Sequence, residues 1–294
     1  MKNNKIIWYI VLTLTYIFWG TQAPALKALS REVPLSLMTF LRFFMACLAI
    51  LPFFLAVKNR KPIEKSDLKT MAFLGFLGVA LYGMINITGI KLSTAVNQAI
   101  ILHTWPLVAT VLAPFLINEK VGRWVYAGLT LGFIGLVVVV SEGNLDSLID
   151  SKYLLGNILI FLSGVTLALY SLFNKKYNHK YGGITMTFYS FLIGSFFLLL
   201  FMLISGDAKE ITHISLKNWL LLFWAGVPTL ALTWLIWFRA MREIGLVKAN
   251  SFFLLIVPSG IFFSSLFLKE TVTPLKLAGA ALVLSGLYIV QTKK

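Results

Sequence analysis

Asn118-Glu119-Lys120-Val121-Gly122-Arg123-Trp124-Val125-Tyr126-Ala127-Gly128, with Gly135-Leu136 beyond it, recurs 151 residues later as Lys269-Glu270-Thr271-Val272-Thr273-Pro274-Leu275-Lys276-Leu277-Ala278-Gly279, with Gly286-Leu287 beyond it. Glu, Val, Ala-Gly and Gly-Leu hold the same places in both copies. Pro106 and Pro258 each precede the shared Glu by about one helical span, and Tyr16-Ile17-Phe18-Trp19-Gly20 has a looser echo in Leu167-Ala168-Leu169-Tyr170-Ser171. Self-similarity at a fixed period marks a repeated structural unit. It divides the chain into residues 1–145 and 146–294.

What surrounds the repeat is apolar. Of 294 residues 59% are hydrophobic and only 13% charged, too much apolar surface for a soluble globule of this size to hide. Ten segments approach the ~20 residues that cross a hydrocarbon core as a helix: 6–26, 35–57, 68–90, 95–117, 124–141, 153–174, 184–205, 218–238, 249–268 and 275–291. No alternating pattern of membrane strands is present. The fold expected is therefore an all-α integral membrane protein of ten transmembrane helices. Each half holds five spans, so the second copy enters the bilayer from the opposite side and the repeats are inverted.

The net charge of +15 comes from 26 Lys and Arg against 11 Asp and Glu. The basic residues lie in short breaks between apolar runs, which makes them span ends and excludes a nucleic-acid surface. Counted in alternate loops, seventeen fall on one side and eight on the other, with Arg42 left inside the second span. The positive-inside rule then puts both termini in the cytoplasm. The start, Met1 to Lys5 before an apolar run, mimics a signal peptide, but more membrane follows it. No break is long enough for a soluble motor domain, and no Gly-Lys dipeptide, hence no Walker A loop, occurs. A single cysteine, Cys47, and three histidines leave no zinc-type ligand set, and no cofactor is expected.

Trp19-Gly20 in the first span, Leu41-Arg42-Phe43 in the second, and the Pro…Glu…Ala-Gly…Gly-Leu signature in both halves resemble the drug/metabolite transporter superfamily, in its ten-helix EamA-type branch. The resemblance covers essentially the whole chain. It implies a secondary transporter in the cytoplasmic membrane, not an enzyme, often an exporter of amino acids or related metabolites. The second half carries Tyr170-Ser171 where the first has Trp19-Gly20.

All eleven acidic residues fall in loops or at span ends. A proton-for-cation exchanger needs a buried carboxylate, so neutral, zwitterionic or weakly anionic solutes are favoured. Arg42 lies about two turns into its span, where a charge costs at least ~2.5–3.5 kcal/mol and requires a partner; that partner is a substrate carboxylate or an ion pair that fixes packing. His103 can titrate near neutral pH, either relaying protons or packing through hydrogen bonds. The cavity lining is expected from Trp19, Gln22, Arg42, Tyr82, Asn86, Asn97, Gln98, His103, Trp105, Tyr170, Asn174, Tyr189, Trp234, Trp237 and Asn250. Aromatic walls with a few amides suit a small amphipathic solute. Pro106 and Pro258, at matching places, are hinge candidates, with static kinks as the alternative.

The expected partners are a small-molecule substrate, proton-coupled if His103 relays, and membrane lipid, in a monomer or homodimer. A nucleotide-sugar or lipid-linked sugar carrier is the alternative within transport, disfavoured by the few basic groups near the midplane. A membrane enzyme or sensor is the alternative outside it.

Overall fold

The computed structural model describes residues 2–58, 60–93, 95–268 and 271–292. Glu270, the second copy of the shared Glu, lies outside the described residues. Among those described there is no strand. The chain runs through α1a (Lys2–Trp19) and α1b (Gln22–Leu29), α2 (Leu35–Ala56), α3 (Lys65–Lys91), α4a (Ala95–Leu102) and α4b (Trp105–Ile117), and α5 (Arg123–Ser141). It continues through α6 (Leu154–Tyr181), α7 (Gly183–Ile204), α8 (Leu216–Ile244), α9a (Leu246–Ser251), α9b (Ile256–Leu268) and α10 (Pro274–Thr292).

Nine helices among the described residues are long and apolar enough to cross a membrane. The tenth expected span, 6–26, is shorter than expected as one helix, because its apolar part ends at Trp19 and the chain turns at Gly20 and Thr21 before α1b. Large side chains face outward, Ile204 at 85% and Phe115 at 80% exposure. In water such a surface would drive aggregation; in a bilayer it meets lipid at no cost.

Element boundaries repeat at the sequence offset of 151. Lys65–Gly75 matches Leu216–Gly226, and Trp105–Ile117 matches Ile256–Leu268. Arg123–Ser141 matches Pro274–Thr292, and the π-helical turns Phe76–Leu81 and Val227–Leu232 coincide as well. The first helix of each half departs from the rule: α6 is continuous through Ser171, where α1 breaks at Gly20.

Small residues set the closest contacts. A Cβ on Gly128 would sit 2.6 Å from the Gly286 carbonyl oxygen, and one on Gly135 would sit 2.5 Å from that of Gly279. Contact order 128 with 286 and 135 with 279 makes α5 and α10 antiparallel. Gly128 corresponds to Gly279 and Gly135 to Gly286, so the two contacts exchange with each other under the repeat. The Gly128-x-x-x-Gly132 motif is thus spent within the chain, Gly132 packing on Leu254 and under Gly286. Tight joints use glycine where the backbone is left-handed: Gly182 (φ +86°) lies between α6 and α7, and Gly245 (φ +92°) between α8 and α9a.

Candidate functional site

Three helices are interrupted inside the membrane, each restarting on a proline. α1b has Pro24 as its third residue, α4b has Pro106 as its second, and α9b has Pro258 as its third. In a first helical turn the N–H has no intrahelical acceptor, so proline fits there without loss. Pro106 therefore starts a helix rather than kinking one in the middle, whereas Pro258 follows a 3-10 turn inside a helix that runs from Leu246 to Phe267. The breaks themselves lie just upstream, at Gly20-Thr21, at His103-Thr104 and in the 3-10 turn Phe252–Leu255.

The three breaks meet around Phe253. Its ring takes Trp19 edge-on at 5.5 Å, Trp105 edge-on at 5.2 Å and His103 at 5.3 Å. Trp19 also stacks on Tyr16 at 5.4 Å. From Trp105 the aromatic wall continues to Trp237 at 6.2 Å and Trp234 at a further 5.7 Å. Trp234 ends it against Phe191, Tyr170 and Phe43. Phe253 carries this junction, yet it is one of 24 phenylalanines in an unbroken apolar run, and only its place five residues before Pro258 could have marked it.

Polar groups thread the wall. The Trp19 indole donates to Gln22 Oε1 at 3.1 Å, and Gln22 Nε2 donates to Thr229 Oγ1 at 2.9 Å and to the Ala225 carbonyl at 3.2 Å. Thr229 belongs to the π-helical turn of α8 and Ala225 lies just before it. Pro228 lacks an N–H, and Thr229 Oγ1 donates to the Trp224 carbonyl, at 2.9 Å, in compensation. Trp237 donates to Asn250 Oδ1 at 3.0 Å. Buried donors without a hydrogen-bond partner among the described residues include Trp105 Nε1, Trp234 Nε1 and Asn250 Nδ2 on these helices and Arg42 Nε on α2. A sealed donor without an acceptor costs ~1–3 kcal/mol. A solute rich in acceptors would relieve that cost.

Arg42 sits on α2 between the two π-helical turns. Gly226, directly before the turn in α8, packs so closely that a Cβ there would lie 2.9 Å from the Arg42 carbonyl oxygen. Tyr82, directly after the turn in α3, is the titratable side chain in electrostatic contact with the guanidinium. No carboxylate among the described residues pairs with Arg42, because the described acids lie at helix ends.

Of the other expected site residues, Tyr170 closes the end of this wall and the rest lie apart from it. Asn86 donates to Ser163 Oγ at 3.1 Å, clamping α3 to α6. Asn97 donates to Asn157 Oδ1 at 3.0 Å, clamping α4a to α6. Tyr189 packs on Phe54 and Phe188. Tyr170 donates to Ser190 Oγ at 2.9 Å, and Asn174, one turn on, is fully buried. Gln98 is half-buried on α4a.

Ion pairs close the helix ends. Lys175 meets Glu119 at 2.6 Å, and the other oxygen of Glu119 accepts the Val247 N–H at the start of α9a. Lys180 bridges Glu64 and Asp67, both at 2.6 Å. Hydrogen bonds from Lys180 and then Lys61 hold the Glu64 carboxyl below its usual range. Lys276 does the same to Glu142 at 2.8 Å across the α5–α10 seam. No cluster that could hold a metal ion exists among the described residues.

Known proteins place this architecture. An uncharacterized transporter of Bacillus subtilis, YoaV, is 25% identical over 95% of this chain and 94% of its own. An uncharacterized transporter of Archaeoglobus fulgidus is 27% identical over 97% and 99%. A protein of known crystal structure shares the fold with a TM-score of 0.79, at 16% identity over 98% of this chain and 99% of its own. The family model of the EamA-like transporters matches twice, over residues 6–141 and 154–292, so the chain belongs to the EamA-like transporter family.

Proposed function

We propose that the chain is a secondary transporter that exports amino acids or related small amphipathic metabolites by alternating access. Its halves, 1–145 and 146–294, form an inverted pair about an axis in the membrane plane, with both termini in the cytoplasm. The observation that carries the reading is the exchange of contacts at the α5–α10 seam: Gly128 on Gly286 and Gly135 on Gly279 are one contact made twice, as an in-plane two-fold requires. Two near-equivalent packings of such halves open the same site to either side.

The site is the aromatic wall around Phe253 with its unpaired donors. Interrupted helices expose backbone only where it lines a cavity or is buried in protein, and three interruptions converge there. Breaks beside Pro106 and Pro258 serve as hinges. Cargo of one or two acceptor groups on an apolar body matches donors set in aromatic rings.

The test is substrate counterflow in proteoliposomes. Vesicles preloaded with unlabelled amino acids are expected to accumulate the labelled forms transiently. Failure to move any amino acid, amine or nucleoside across a broad panel would refute the reading.

A further inference from the structure

Arg42 is a half-buried cation that the packing does not require. Under the repeat it corresponds to Ile193 on α7, and Gly226 corresponds to Gly75. The two contacts occupy equivalent places: a Cβ added to Gly75 would lie 2.8 Å from Ile193 Cβ, and one added to Gly226 would lie 2.9 Å from the Arg42 carbonyl oxygen. The same position in the same scaffold is therefore filled by an isoleucine in one half and an arginine in the other. Helix packing does not select the charge.

Protein partners do not explain it either. Arg42 makes no hydrogen bond or ion pair with a described residue, and its Nε is sealed without an acceptor. A guanidinium offers five donors in a planar fork that fits a carboxylate by two parallel hydrogen bonds. The Tyr82 hydroxyl beside it is a further donor. A guanidinium fork with a hydroxyl beside it suits an anion.

Resting on the transporter reading above, we propose that Arg42, with Tyr82, receives the carboxylate of the substrate, and that this makes the protein an exchanger of organic acids and zwitterions. The carrier occludes readily when a carboxylate neutralises Arg42. The empty carrier must take a bare cation through occlusion, a cost set by the price of an uncompensated charge in the membrane interior. That makes the empty return about a hundredfold slower than the loaded one. Net export then depends on a second acid moving the other way.

The experiment uses purified full-length protein and two probes: a mixture of the common amino acids, and a mixture of their amides. Amino acids are expected to raise the apparent melting temperature of the wild type, and amides are not. Arg42→Ile, which copies Ile193, is expected to melt at or above the unliganded wild type and to lose the response to amino acids. Arg42→Lys should keep part of it. In proteoliposomes, uptake of labelled amino acids should be about a hundredfold faster into amino-acid-loaded vesicles than into vesicles holding only sodium isethionate.

Equal stabilisation by the amides overturns the carboxylate assignment, and so does a response kept in Arg42→Ile. Marked destabilisation of Arg42→Ile assigns Arg42 to packing and overturns it too. Equal uptake with and without internal amino acid overturns the exchange step. In all of these cases uptake itself persists and the transporter reading stands, whereas absence of uptake under every condition defeats that reading instead.

Discussion

Gly135→Ala should push apart the seam that holds the two halves together. The added Cβ would lie 2.5 Å from the Gly279 carbonyl oxygen, 2.7 Å from Leu282 Cβ and 2.7 Å from the Val283 nitrogen. Ordinary contact begins near 3.4 Å, so α5 and α10 must separate by about 0.9 Å. Two of the three obstacles are backbone, which no rotamer change can move. Overpacking costs ~1–3 kcal/mol, and the rigid obstacles put this site at the upper end. Better helix propensity returns up to ~1 kcal/mol, leaving a net loss of about 2 kcal/mol. Gly279→Ala meets the Gly135 carbonyl oxygen at 2.6 Å and should lose a similar amount. The double variant should lose less than the sum, because the first separation makes room for the second methyl. Cys47, buried at 5% exposure, is a built-in reporter: a thiol-reactive fluorophore reads its release on heating. Gly260→Ala, with no atom within 4 Å of its added Cβ, is the control, expected unchanged or slightly more stable. If Gly135→Ala melts with the wild type, or if the two single variants differ widely, the reciprocal seam is wrong.

Four further outcomes follow from the site and its surroundings. Gln22→Leu removes the bonds to Trp19, Ala225 and Thr229 and should cost ~1–3 kcal/mol, read in the same melting assay. Pro106→Ala should leave helix content by circular dichroism unchanged, since Pro106 opens α4b and blocks no hydrogen bond. His103→Gln should abolish stimulation by a pH gradient while leaving exchange intact if the imidazole relays protons; unchanged pH dependence assigns it to packing against Phe253. The Glu64 carboxyl is depressed in the folded state by Lys180 and Lys61. Its stabilising contribution is therefore complete above the unfolded value of about 4.3 and is lost as pH falls through the lower folded value. Lys180→Met should flatten that acid limb of the melting temperature.

The sequence disclosed what depends on periodicity and charge. Apolar runs located the helices, and the Glu119 and Gly128 signature fixed the offset that the helix boundaries then obeyed. Arg42 stood out because a lone cation in an apolar run is costly whatever surrounds it. What stayed hidden depends on backbone detail and on distant partners. Hydropathy is continuous across 95–117, so nothing at His103-Thr104 announces a break; Pro106 just beyond it fits a hinge or a static kink as well as a helix start. The π-helical turns insert one residue into a helical pattern that is apolar all round, where a slip in phase leaves no trace. Asn86 and Asn97 look like midplane amides awaiting a solute, but their partners Ser163 and Asn157 lie 77 and 60 residues away in sequence. Only packing brings those pairs together.

The frame repeats but its lining does not, and the proposed mechanism needs both. Alternating access requires two packings of nearly equal free energy, which equivalent contacts such as the two glycine pairs of the α5–α10 seam supply. Recognition requires the opposite, a single asymmetric pocket, because a solute with one charged end has no two-fold of its own. The repeat-related positions meet that need by differing: Arg42 faces Ile193 across the offset, His103 faces Leu254, Trp105 faces Ile256, and Trp234 faces Gly83. Every titratable or hydrogen-bonding member of these pairs answers to an apolar residue or to glycine. Substituting Arg42 toward its counterpart therefore alters recognition while introducing a side chain the scaffold already accommodates at the equivalent place. Arg42→Ile separates cargo binding from folding on that ground, whereas Trp105→Ile empties space around a fully buried ring and should cost stability as well.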